Sequence, residues 1–441
     1  MRVVFSPSVA RDLGSAKEEF IRHFLGLRPN EDIDRGTLQA VEDRFHHLTA
    51  QEQIHQFAIP VWQIFQRFIP SDFNNPLKPL QKTKGPILAG VKEAPDLIYE
   101  SDMGESGFAI NALGYYKGGL ASNTAHALRL LDTYAHFVPL LGDGPKADIH
   151  RAAIRASGID ITREVTSNGV DAYTHFCSLH GNGDSKQENW MAQYRIPFSK
   201  ETIEAFTAAI EATLIENQGE VLVLSAIPPA GSPGDYFAEL TELGKKYNSP
   251  TAFNSKQYDP MRTSVERLFD HGEIRIIKPN LVEFVEFLRY RGLLYEDSDT
   301  CESELYHRLK KQISNRQFHE TFELARLLIE NVNPEMVVFL SFSEYGAMVV
   351  NKNHAVVFGA PKIKLGCSSG AGDSGLANVI KTARDKDYNF WNMLKEDELA
   401  DLLQGFIYAA SATASLPGNN IAGKKEIEDL RSGWQLVQYK I

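Results

Sequence analysis

A lone carboxylate, Asp373, follows five small residues in the stretch Ser368-Ser369-Gly370-Ala371-Gly372-Asp373-Ser374-Gly375, and residues 376–384 (LANVIKTAR) read as a helix. Glycines let a backbone approach an anion closely. The N–H groups of Gly370, Ala371 and Gly372 would meet that anion from the positive end of the helix. An acid beside an anion repels it, unless the acid takes a proton from a hydroxyl that attacks the anion. Phosphoryl transfer to an alcohol needs this pairing of anion donors with a base. A plain helix N-cap also accounts for an Asp at a tight turn, and on this stretch alone the cap is the preferred reading.

Two other stretches carry chemistry at helix starts. Ile277-Lys278-Pro279-Asn280-Leu281-Val282-Glu283 ends a strand-like run and opens a helix. Asn280 and Glu283 are three apart and share one face of the first turn. They suit water held around Mg2+, which keeps several waters and takes oxygen ligands; a capping box would use the same two residues. Upstream, Lys117-Gly118-Gly119-Leu120-Ala121-Ser122-Asn123-Thr124-Ala125 opens a helix with small residues and one amide. It suits a polyol laid against backbone. A close helix–sheet contact would need the same small residues.

The elements that position these residues alternate along the chain. Residues 2–5 (RVVF) read as a short strand, and apolar residues recur at three- and four-residue steps between about 15 and 70, which predicts amphipathic helices. The connector 71–86 (SDFNNPLKPLQKTKGP) holds three prolines. After it, extended runs (ILAG, DLIYES, FAINALGYY, HFVPLLG, EVLVLS, PTAFNS, IRII) alternate with helical ones, and DAYTHFCSLHG with NWMAQYRIPF reads as a hairpin or lid. VLVL is continuously apolar and IRII nearly so, the pattern of parallel strands covered on both faces. The fold expected is α/β, a doubly wound and mostly parallel sheet flanked by helices, with a small β lid and an N-terminal helical segment. In such sheets ligands bind beyond the carboxyl ends of the strands. The 368–373 turn lies there provided KIKL (362–365) or its continuation is a strand.

The bulk numbers bound the partners. The 441 residues carry 46 basic and 57 acidic side chains, a net charge of −11 that argues against nucleic acid or an anionic membrane as the main partner. The three cysteines, Cys177, Cys301 and Cys367, lie far apart with no CxxC spacing, which fits a reducing compartment and no zinc site. No stretch reaches the length of a membrane span and the N-terminus has no long apolar run, so a cytoplasmic protein is expected.

GAGDS at 370–374, KPNLVE at 278–283 and GGLASNTA at 118–125 occur in the order and approximate spacing of the ribokinase/PfkB carbohydrate kinase family, which the chain resembles over roughly residues 110–423. The strand and helix at 221–247, with PTAFNS after them, are similar to the branch of 1-phosphofructokinase and tagatose-6-phosphate kinase. The helical segment resembles the insertion of ADP-dependent sugar kinases. The resemblance implies a ribokinase-like kinase domain over 86–441 after an extension at 1–85, with lid strands near 93–117 and 170–196. It implies transfer of phosphate from a nucleotide, ATP or alternatively ADP, with Mg2+, to a sugar or a sugar phosphate. Asp373 is then the catalytic base and Gly370, Ala371 and Gly372 the anion hole. Asn280 and Glu283 organise Mg2+ and phosphate, and Ser341, Ser343 and Gly346 form the nucleotide turn. Gly118, Gly119 and Asn123 face the sugar. A homodimer through the lid strands is an open option.

The chain departs from the family in places. Leu120 replaces the lysine usual in kinases of sugar phosphates, so Lys117, Lys256 or Arg195 would have to balance a second phosphate. Ser343 stands where glycine is expected in the nucleotide turn. The family's sugar-binding aspartate has three candidates, Asp12, Asp96 and Asp102. These departures leave a second reading, a catalytically weak ligand-binding or regulatory member of the family.

Overall fold

The computed structural model describes residues 2–4, 77–91, 96–104, 107–116, 118–169, 175–180, 188–191, 198–225, 229, 232–254, 262–293, 299–417 and 420–440. The helical segment expected over 15–70, together with Asp12, Lys117, Arg195 and Lys256, lies outside the described residues. In chain order the strands are β1 (Arg2–Val4), β2 (Ile87–Val91), β3 (Asp96–Gly104), β4 (Gly107–Tyr116), β5 (His136–Gly142), β6 (Val165–Ser167), β7 (His175–His180), β8 (Glu188–Met191), β9 (Leu222–Ser225), β10 (Thr251–Asn254), β11 (Ile274–Ile277), β12 (Val337–Ser341), β13 (Ala347–Val350), β14 (Ala355–Phe358) and β15 (Gln438–Tyr439). The helices are α1 (Leu120–Leu130), α2 (Pro145–Ala156), α3 (Lys200–Glu216), α4 (Tyr236–Lys246), α5 (Arg262–His271), α6 (Leu281–Tyr290), α7 (Asp299–Ser314), α8 (His319–Val332), α9 (Ala371–Asp385), α10 (Glu396–Ala414) and α11 (Lys424–Gly433).

Ten strands form one sheet in the order β15-β14-β13-β12-β11-β10-β9-β2-β5-β6. From β12 to β6 every neighbouring pair is parallel, while β13, β14 and β15 add an antiparallel edge. The alternation of side chains divides the core in two. Leu222, Leu224, Phe253 and Ile277 pack under Phe206 and Ile210 of α3, Phe237 of α4, Phe269 of α5 and Phe284 and Phe287 of α6. Val223, Ala252, Ile276 and Phe339 face the other way, against Ala125 and Leu128 of α1, Leu376 and Ile380 of α9 and Leu402 and Phe406 of α10. Strands apolar on both faces are thus covered on both faces, as the continuous runs imply. The doubly wound α/β sheet is the fold.

A second sheet has the order β1-β4-β3-β7-β8. β7 and β8 pair antiparallel, the hairpin the sequence suggested, and β7 joins β3 in parallel. Asp96 and Asp102 both lie on β3, with Asp96 in register beside Tyr116 of β4 and His175 of β7.

KIKL is not a strand: residues 359–370 run without regular structure from β14 to α9. Pro361 lacks an N–H for a ladder, and Lys362, Lys364 and Leu365 are exposed, so the segment has no face to bury. Gly375 fixes how closely α9 and α10 approach. A Cβ there would stand 2.6 Å from a ring carbon of Phe406. Gly375→Val therefore forces the helices apart, and chemical denaturation should register a loss of about 1–3 kcal/mol, the usual cost of overpacking. Unchanged stability would contradict this packing.

Candidate active site

The carboxyl ends of the central strands present a row of residues to the face covered by α1 and α9. Gly90 of β2 is in register with Ser225 of β9, and Ser225 with Asn254 of β10. Phe253 pairs with Ile277 and accepts a hydrogen bond from the Lys278 N–H (3.3 Å), so Lys278 extends the row one strand further. These side chains share the face of Val223, Ala252 and Ile276, each two residues back. Ser225, Asn254 and Lys278 are 1%, 0% and 8% exposed, so a serine, an amide and an ammonium are buried where the apolar sheet ends.

The start of α9 lies over this row. Gly370 has φ 77° and ψ −6°, and the Ala371 N–H donates to the Ser368 carbonyl at 3.2 Å. That is the third position of a type II turn, which requires the positive φ glycine accepts readily. The helix therefore begins at Ala371, and Gly370, not Asp373, is the N-cap. Of the three N–H groups expected to face an anion, that of Ala371 already closes the turn. Gly372 meets a different constraint: a Cβ there would lie 2.6 Å from the Lys278 ammonium nitrogen. The missing side chain lets a buried cation stand against the turn.

Asp373, one residue on, is 4% exposed. Its Oδ2 accepts from the Asn123 side-chain N–H at 3.1 Å and its Oδ1 from that of Asn254 at 2.9 Å. A carboxylate out of water needs such donors to stay charged. Asn123 reaches it because α1 is small enough to wedge between sheet and α9: residues 121–128 are all buried. Gly119, with φ 91°, starts that helix, and its carbonyl accepts from the Asn123 N–H at 2.9 Å. The Ser122 hydroxyl donates to the Gly118 carbonyl.

Asn280 and Glu283 form a full capping box, with both bonds at 2.9 Å. Asn280 is exposed and Glu283 buried. Asn280 also bridges to Ser341 in parallel, and the Ser341 N–H donates to the Pro279 carbonyl at 3.1 Å. The turn after β12 thus starts beside Asn280. In it Ser343 has φ 53°, the left-handed conformation that suits the glycine it replaces. Gly346 has φ 115°, and a Cβ there would lie 2.0 Å from the Phe358 carbonyl oxygen. Among the described residues no group of three His, Cys, Asp or Glu side chains converges as a metal cage. The oxygen donors of Asn280 and Glu283 fit Mg2+ held largely through water.

Asn254 and Lys278 carried no assigned role in the sequence. The signal was their place, each closing a strand on the face of the apolar residue two positions earlier.

The sequence model of the pfkB family carbohydrate kinase matches residues 94–385. The chain belongs to the PfkB family. It is a carbohydrate kinase. Phosphofructokinase-2 from Escherichia coli in complex with fructose-6-phosphate is 15% identical, with a TM-score of 0.56 over 80% of this chain and 99% of that one. A possible 1-phosphofructokinase from Thermotoga maritima is 16% identical, with a TM-score of 0.56 over 80% and 100%. Ribokinase from Thermotoga maritima is 15% identical, with a TM-score of 0.52 over 79% and 100%. No curated protein matches the chain. At these identities the solved structures speak for the fold alone. Among the described residues no helix of the kinase is long and apolar enough to cross a membrane.

Gly372→Ala tests the contact between turn and cation. The added methyl meets the tip of a flexible side chain, so the fold should survive while the ammonium moves aside. Losing one such donor typically costs about 10²–10³ in turnover. Full kinase activity in a folded Gly372→Ala protein would contradict the arrangement.

Proposed function

We propose that this kinase moves the terminal phosphate of a nucleotide to a hydroxyl of a sugar or sugar phosphate, with Asp373 as general base. The observation that carries the reading is the buried Asp373 carboxylate, held by two amides at the turn where Gly372 admits the Lys278 ammonium. As the acceptor oxygen bonds to phosphorus, Asp373 takes its proton and the bond to the departing nucleotide oxygen breaks. The Gly370 to Gly372 backbone and Lys278 balance the negative charge on the phosphoryl group. Gly118, Gly119 and Asn123 border the acceptor. Ser341, Ser343 and Gly346 form the nucleotide turn, and Ser343 keeps the backbone shape that a glycine would give it.

ATP is the donor that the KPNLVE motif favours, with ADP the alternative. Mg2+ bound near Asn280 and Glu283 would neutralise phosphate charge. We also propose that residues 1–85 are an extension to a kinase domain at 86–441, with the strands near 93–117 and 170–196 acting as its lid. The sheet order, in which β3, β4, β7 and β8 stand together, supports the lid. A homodimer through that sheet and a cytoplasmic location complete the proposal. The nature of the acceptor follows from steady-state kinetics on matched pairs such as fructose 6-phosphate and fructose.

Asp373→Asn keeps the size of the side chain and removes the base. Asn123 or Asn254 can turn its amide to meet the new N–H, so the fold should survive. Turnover should fall by roughly 10²–10⁴ while nucleotide binding, read by calorimetry, is retained. Unchanged turnover in a folded variant would sink the assignment.

A further inference from the structure

The two amides on Asp373 differ in their surroundings. Asn123 sits in the first turn of α1, whereas Asn254 closes β10 in mid-sheet and is wholly buried. The Asn254 Nδ2 is given to the Asp373 carboxylate, and its Oδ1 has no hydrogen-bond partner among the described residues. The hydroxyl of Ser225, beside it in register, has none either. An amide is oriented by its bonds, and turned over it would set its oxygen against a carboxylate oxygen, acceptor to acceptor. The orientation with an orphaned oxygen is therefore the one an ionised Asp373 dictates, and it is built into the strand and not into a mobile loop.

We infer that Asn254 is a positioning residue of this kinase: its N–H aims the Asp373 carboxylate and keeps it ionised in the working pH range. The inference rests on the reading of Asp373 as the base. A hydrogen bond donated to the charged form of an acid favours that form, and a second carboxylate in its place disfavours it. Among the described residues, Lys278 follows β11, and α1, α10 and α6 carry His126, Tyr408 and Glu283 at buried positions. The Lys278 ammonium stands at the turn itself, and a positive charge beside an acid favours its ionised form. Asn254 adds to this without adding charge that the transferring phosphate would meet.

The test is the pH dependence of kcat/KM between about pH 5 and 9, with Mg-ATP and the best acceptor sugar, for wild type, Asn254→Asp and Asn254→Ala. Asn254→Asp sets two carboxylates side by side, so the acid limb should move up by about one unit or more and activity should recover as pH rises. Asn254→Ala removes the donor alone and should move the limb up by a smaller step. The Michaelis constant for ATP should stay within about threefold in both, since the residue acts through the base. Thermal unfolding checks each fold, and Asn254→Ala carries the test if the charged variant does not fold. A merely structural residue would lower kcat with the limb unmoved, and that result overturns the inference. The base itself is judged separately: an active Asp373→Asn enzyme refutes the base, whereas an inactive one with unmoved Asn254 profiles refutes only the positioning role.

Discussion

A carboxylate taken out of water stays charged only if donors surround it, and much of this site follows from meeting that condition at Asp373. The donors come from two elements far from Asp373 in the sequence, α1 and β10, 250 and 119 residues away along the chain. α1 can deliver Asn123 because the residues around it, Ala121, Ser122, Thr124 and Ala125, are small and buried. β10 can deliver Asn254 only because the sheet ends there, on the face where Ala252 leaves room. The type II turn at Gly370 then sets where α9 begins and puts Asp373 third in the helix. A helix starting one turn later would carry the acid past both amides.

The same geometry sets a cation beside the acid. Lys278 stands against Gly372, so the turn beside the carboxylate is not uniformly negative. The lysine is 8% exposed, and a cation held so far from water acts more strongly on a neighbouring charge than a surface lysine would. The two following residues lead into the Asn280–Glu283 capping box and from there to Ser341. A single strand end thus connects the cation, the first-turn oxygen donors and the turn after β12.

Much of the sheet was legible because central strands such as β9 and β11 are buried on both faces and are apolar at most positions. The reading of KIKL failed because two lysines and two apolar residues alternate like a strand, yet Pro361 and exposure leave the segment without a partner. At the site, the GAGDS turn was legible from its glycines, which have separable tasks: positive φ at Gly370, room for Lys278 at Gly372 and room for Phe406 at Gly375. Which residue caps the helix was not legible. It depends on which residue starts α9, and that is set by the φ of Gly370, which composition does not specify. Asn254 was missed for a similar reason. A polar residue at a strand end reads as an edge of the sheet, and its partner lies far away in sequence. Ser343 looked like damage to the turn after β12, whereas its φ of 53° keeps the shape of a glycine.

The central claim is that the acceptor hydroxyl, the transferring phosphate and Asp373 meet at the start of α9. A crystal structure of the kinase with its acceptor sugar and a non-hydrolysable ATP analogue tests it most directly. The account predicts one sugar hydroxyl within about 2.6–3.2 Å of an Asp373 carboxylate oxygen, with the terminal phosphate against the Gly370 to Gly372 backbone and the Lys278 ammonium. An acceptor whose reactive hydroxyl sits on another side chain, with Asp373 still bonded only within the protein, would contradict it.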